Sequence, residues 1–168
     1  MIYQKSHRTL IFWVVMVSFI FFGLGCEKQK EVIEKIGNKP LPPDAFKAAI
    51  SIENPPSSLK KASTTPIKVK VKNTSSSFWP VKGQPDGSYQ IRCSYHWLDK
   101  NGKVINWEGI RATLPHDLES NQEVVLNAKV MAPDKPGEYI LEFDLIQQKV
   151  AWFSKRGSQT LRIPIKVE

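Results

Sequence analysis

SYQIRCSYHWLD, residues 88–99, alternates along its length. Tyr89, Ile91, Cys93, Tyr95 and Trp97 share one face, and Gln90, Arg92, Ser94 and His96 share the other. A period of two is the pattern of a β-strand with one face in a core and the other turned to water. Lys100-Asn101-Gly102 follows at once and reads as a hairpin turn into the short strand KVINW, residues 103–107.

The same pattern recurs on both sides. PIKVKVKN, residues 66–73, sets Ile67, Val69 and Val71 against Lys68, Lys70 and Lys72. EVVLNAKVMA, residues 123–132, points Val124, Leu126, Ala128 and Val130 inward. EYILEFDLIQ, residues 138–147, does so with Tyr139, Leu141, Phe143 and Leu145. TLRIPIKV, residues 160–167, does so with Leu161, Ile163, Ile165 and Val167. Pro164 has no N–H to give a ladder, so this last strand is expected at a sheet edge. FKAAISIE, residues 46–53, is a further strand, closed by NPPSS. About seven short strands with no helical pattern between them predict an all-β antiparallel sandwich. Trp97, inward on the third strand, and Tyr139, just after Pro136-Gly137 on the penultimate one, sharpen this to an immunoglobulin-like sandwich with a core Trp and a tyrosine corner.

The first residues stand apart. MIYQKSHRT carries Lys5 and Arg8 without an acid, and an apolar run from Leu10 to Gly25 ends in Cys26, after which EKQKE is polar. A basic start, an apolar stretch and small residues before a cut describe a signal peptide over 1–25. The run is shorter than the roughly 20 residues of a membrane-spanning helix. GLGC, residues 23–26, resembles the lipobox of bacterial lipoproteins, although Gly23 and Leu24 depart from its usual pattern. The resemblance implies cleavage before Cys26 and a lipid on its thiol. An uncleaved anchor helix ending at Cys26 is the alternative, and either places the remainder outside the inner membrane. Glu27 in place of Asp favours the outer membrane under the enterobacterial sorting rule. Residues 26–44, charged and then rich in proline, read as a tether holding a domain, 45–168, off the membrane.

With Cys26 lipidated, Cys93 has no partner for a disulfide, and its strand position makes it a small core residue. The net charge is +8, but 11 bases against 6 acids fall in residues 26–87, while residues 88–168 hold 11 against 10. The excess sits in the tether and the first long strand, a distribution that argues against nucleic acid and suits an anionic surface or plain solvation.

VKNTSSSFWP, SYHWLDKNGKVINWEGIRATLP and APDKPGEYILEFDLIQQKVAWFSKRG resemble a bacterial Ig-like accessory module found beside the glycosyltransferase and methyltransferase domains of surface-polysaccharide synthesis, and the resemblance covers roughly Ile67 to Val167. The resemblance implies a sandwich without catalytic residues, with a sugar-binding role. No enzyme domain is expected beside it here, so the module is expected to act alone or with a separate partner.

The candidate ligand residues are Trp79, Trp107, Arg111, Trp152, Lys155 and Arg156. In immunoglobulin strand order the segments holding Trp79 and Trp152 emerge at one end of the sandwich. Either the two indoles flank one surface, with Lys155 and Arg156 ready for an acidic sugar, or each folds back to plug the core. Phe78 and Phe153 are assigned to the core. Trp107, Glu108 and Arg111 are either a packing Trp with a surface ion pair or the rim of a binding face. His96 and His116 lack metal-ligand spacing. No nucleophile elbow or phosphate-cradling loop occurs, so neither enzyme chemistry nor a cofactor or metal is expected. Asn73-Thr74-Ser75 matches a glycosylation acceptor and is read as a turn. The expected role is a non-catalytic envelope module that binds a glycan, with protein docking as the alternative.

Overall fold

The computed structural model describes residues 37–168. The signal peptide, Cys26 and the first part of the tether lie outside these residues. The compact unit Glu34–Glu168 carries the fold.

Ten strands form two sheets. β1 (Ala48–Ser51), β3 (Thr64–Asn73) and β7 (Glu123–Met131) make the smaller, in the order β1-β3-β7. β2 (Ser58–Leu59), β10 (Leu161–Val167), β8 (Gly137–Gln147), β4 (Ile91–Asp99) and β5 (Val104–Asn106) run in that order across the larger. β6 (Ala112–Thr113) adds to β4 and β9 (Ala151–Trp152) to β8. The fold is an immunoglobulin-like β-sandwich with no α-helix among the described residues. The strand count exceeds the expected seven because the two-residue pieces β2, β6 and β9 pair at the margins, too short to leave a periodic trace in sequence.

β3 and β7 pair antiparallel from Thr64↔Met131 to Lys72↔Glu123, which puts the two alternating apolar sets on one face. β4 and β8 pair from Ile91↔Gln147 to Asp99↔Tyr139. Ile91, Cys93, Tyr95 and Trp97 thereby line up with Leu141, Phe143 and Leu145 and meet the smaller sheet. Burial of each large apolar side chain contributes about 1.5–3 kcal/mol. Trp97, 2% exposed, also donates its indole N–H to the Met131 carbonyl at 2.8 Å. The Tyr139 hydroxyl donates to the Lys135 carbonyl at 2.9 Å, the corner the sequence predicts. Cys93 is a free, buried core thiol, pushed up to about 12 by burial and by the nearby Asp144 charge.

Four expectations change. Tyr89 has φ +67° and sits before β4, off the inward face. β10 is flanked by β2 as well as β8, so it is not the outermost strand. The parallel pairing with β2 covers only Lys166 and Val167, which leaves the side facing away from β8 unpaired at Pro164 and explains why a proline is tolerated. Residues 37–44, read as tether, pack on the sandwich: the Gly37 N–H reaches the Lys82 carbonyl at 2.8 Å, and the Leu41 N–H reaches Gln147 Oε1 at 2.9 Å. Phe78 is only half-buried and stays outside the core cluster. Asn73 is fully buried, with its amide donating to the Ser77 and Leu118 carbonyls at 2.7 and 3.1 Å, so it holds a turn and is closed to modification.

Candidate functional site

The outward positions of β4 and β8 face each other by register, Ser94 against Asp144 and His96 against Glu142. Alternation predicts these residues to be wet. They are instead buried: Ser94 and His96 at 0%, Asp144 at 1% and Glu142 at 6% exposure. Two segments cover them. One runs from Trp107 to Arg111 beside β4, where the Gly109 N–H donates to the Tyr95 carbonyl at 3.0 Å and Ser94 Oγ donates to the Gly109 carbonyl at 3.1 Å. A Cβ on Gly109 would stand 2.4 Å from that Tyr95 oxygen, so only glycine allows this close approach. The other segment is β9 with the 3-10 turn Ser154–Arg156.

The cover is aromatic. Trp107 stacks on the His96 imidazole, with centroids 3.8 Å apart and planes at 11°. Trp152 meets the same imidazole edge-on at 4.5 Å and Trp107 at 5.6 Å. Two cations complete it: Lys155 Nζ lies 4.7 Å over the Trp107 ring and the Arg111 guanidinium 5.7 Å over Trp152. With His96 on one face of Trp107, Lys155 takes the other. Arg111 is further fixed by Gln148 Oε1 and Glu108 Oε2, both at 2.6 Å.

Beneath the cover the polar groups are unequally satisfied. Glu142 accepts from Thr160 Oγ1 at 2.6 Å and Arg162 Nε at 2.8 Å. Burial pushes its carboxyl up, but the Thr160 and Arg162 hydrogen bonds and the Arg162 charge prevail and hold it below the usual range. Asp144 accepts the Leu145 N–H at 2.7 Å and the Ser154 N–H at 3.3 Å. His96 Nδ1 faces the Trp107 carbonyl, an acceptor only, so Nδ1 carries a proton. His96 Nε2 has no hydrogen-bond partner and lies 3.7 Å from Asp144 Oδ2. Sequence reasoning passed over this group because it assigned the outward positions to solvent. One signal was available: Leu98 and Ile146 are apolar at the same outward positions, as expected of a covered face.

Of the six candidate residues, Trp107, Arg111, Trp152 and Lys155 come together here. Trp79 and Arg156 do not. Trp79 is fully buried, meets Phe153 edge-on at 5.0 Å and donates its indole N–H to the Ala45 carbonyl at 3.0 Å. Arg156 lies over Phe46, at 5.7 Å. The two segments do converge, but through Phe153, which enters the core between Trp79 and Phe46. Trp152, its neighbour, is directed to the outer face. Phe153 packs on Trp79 in the core while Trp152 packs on His96 on the far side of β4, so Trp79 and Trp152 do not share a surface. Trp152 is only 8% exposed, so of the two alternatives the platform of two open indoles is not formed, and Trp79 plugs the core. Among the described residues no three metal-ligating side chains gather.

A second feature lies at the sandwich margin. A cleft of about 270 Å³ opens between the β5–β6 side of the larger sheet and β7 of the smaller, floored by Tyr95 and Trp97 and edged by Glu108 and Asp134. Ile105, Ile110 and Met131 line it at 52%, 40% and 52% exposure. The β4–β5 register breaks between Trp97↔Asn106 and Leu98↔Val104, and Ile105 is the extra residue of that bulge.

No family model and no curated protein matches this chain. Among solved structures it is similar to the CARDB domain of a Pyrococcus furiosus protein, at 14% identity over 72% of this chain and 92% of that one, TM-score 0.42. It is also similar to the sporulation control protein Spo0M of Bacillus subtilis, at 14% identity over 73% and 49%, TM-score 0.44. A β-glucosidase of Listeria innocua matches at 9% identity over 73% of this chain and 16% of that one, TM-score 0.44. At these scores the likenesses assign neither ligand nor activity.

Proposed function

We propose that this chain is a lipid-anchored, non-catalytic module of the cell envelope that binds an acidic glycan on the face of Trp107, Arg111 and Lys155. The observation that carries the reading is Trp107 itself: half-buried, stacked on His96, with Lys155 over its ring and Arg111 over the adjoining Trp152. A flat indole suits the apolar face of a sugar ring, and ammonium and guanidinium groups suit its carboxylate or phosphate. An acidic sugar draws the Lys155 ammonium off the ring and takes its place. His96 and Asp144, sealed beneath two tryptophans, are denied a substrate, which supports binding over catalysis. The test is titration of the soluble unit with acidic and neutral oligosaccharides, followed by tryptophan fluorescence and calorimetry. Acidic saccharides are expected to bind and Trp107→Ala to abolish it. Acidic binding that is unchanged in Trp107→Ala refutes this face.

The cleft beside Ile105, Ile110 and Met131 favours a second reading, in which the module docks an apolar segment of an envelope protein. In that case Ile110→Ser and Met131→Ser would release the partner while saccharide binding stayed unchanged.

A further inference from the structure

The smaller sheet also has an outer face, and its chemistry differs from that of the tryptophan face. Lys68, Lys70 and Lys72 point outward from β3, and Lys129 from β7. Residues two apart on a strand are about 7 Å apart and neighbouring strands about 4.8 Å, so these lysines form a flat array. Two carboxylates oppose the four: Glu123, bridged to Lys70 at 3.2 Å, and Glu53, which borders a hollow shared with Lys68, Lys70 and Val125. Val125, directly across from Lys70 on the edge strand β7, is 55% exposed. A soluble anionic polymer needs only the lysines. An exposed apolar side chain beside a row of lysines is the make-up of a surface that rests on lipid: the ammonium groups reach phosphate while the apolar tip and the methylene stems sit among the headgroups.

We infer that the outer face of β1, β3 and β7 is a docking surface for an anionic lipid bilayer. This rests on the anchored reading above only for the presence of a bilayer beside the domain. The tether raises the local concentration at that bilayer, so a modest excess of positive charge suffices. With the lysine face down, the opposite sheet, carrying Trp107, Arg111 and Lys155, is turned away from the membrane and toward its ligand.

The experiment uses the soluble unit Glu34–Glu168, a compact body with its own core and no lipid, so that vesicle binding reads the face alone. It is mixed with vesicles of phosphatidylcholine, with or without phosphatidylglycerol, and sedimented. The expected result is partitioning onto the anionic vesicles only, weakening as salt is raised. Lys68→Gln, Lys72→Gln and Lys129→Gln together should lower it by roughly fivefold for each lysine removed. The charge-matched control Lys60→Gln, Lys100→Gln and Lys103→Gln, which alters lysines off this array, should lose far less. Val125→Ser should weaken partitioning with no change in thermal midpoint. Equal binding to neutral vesicles, equal losses in the two triple variants, or binding of soluble polyphosphate without binding of vesicles would each overturn the inference. Failure of the anchored reading appears separately, as a precursor whose processing does not depend on Cys26.

Discussion

Trp107 lies flat on His96, 3.8 Å from centroid to centroid, and the imidazole in turn lies 3.7 Å from Asp144 through its unpartnered nitrogen. The half-buried indole and the buried His96–Asp144 pair are therefore one structure.

Trp152 is a packing residue of that structure. It is 8% exposed and touches His96, Trp107 and the Arg111 guanidinium. Trp152→Ala is expected to cost about 3–5 kcal/mol, as large aromatic truncations do, read as a lowered urea midpoint. An unchanged midpoint would mean that the indole is free in solution.

The core Trp and the tyrosine corner differ in weight. Trp97→Ala removes a buried indole and its bond to Met131, for about 3–5 kcal/mol. Tyr139→Phe removes one exposed hydrogen bond, worth about 1 kcal/mol. Chemical denaturation of both variants should preserve that order.

Glu142 makes the domain acid-sensitive. Its folded carboxyl is held below the unfolded value, so its stabilisation is complete above about pH 4.3, the ordinary glutamate value, and is lost as the pH falls from there through the folded value. Glu142→Gln should cost about 1–3 kcal/mol at neutral pH by weakening the Arg162 and Thr160 bonds. The variant should also show a flatter thermal midpoint between pH 5 and pH 3. An unchanged acid slope would assign that sensitivity to other carboxylates.

Anchoring is testable at Cys26. Cys26→Ser in the full chain should accumulate precursor and lose incorporation of labelled palmitate. Equal mobility and equal labelling of both forms would remove the lipid from the proposed function.

The sequence by itself determined the class of fold. Alternation of side chains is a local property of a strand, so β3, β4, β7, β8 and β10 and their inward faces were legible residue by residue, as were Trp97 in the core and the Tyr139 corner. Tertiary structure alone decided what happens on the far side of β4 and β8. Ser94, His96, Glu142 and Asp144 look solvated in an alternating pattern, and they are buried because chain ten or more residues away crosses over them. It also decided that Trp152 and Phe153, neighbours in sequence, serve opposite faces of one sheet, so that Trp79 joined the core and Trp107 became the centre of the site. Periodicity reports which way a side chain points. Whether water or another segment waits there depends on long-range packing, which no local pattern encodes.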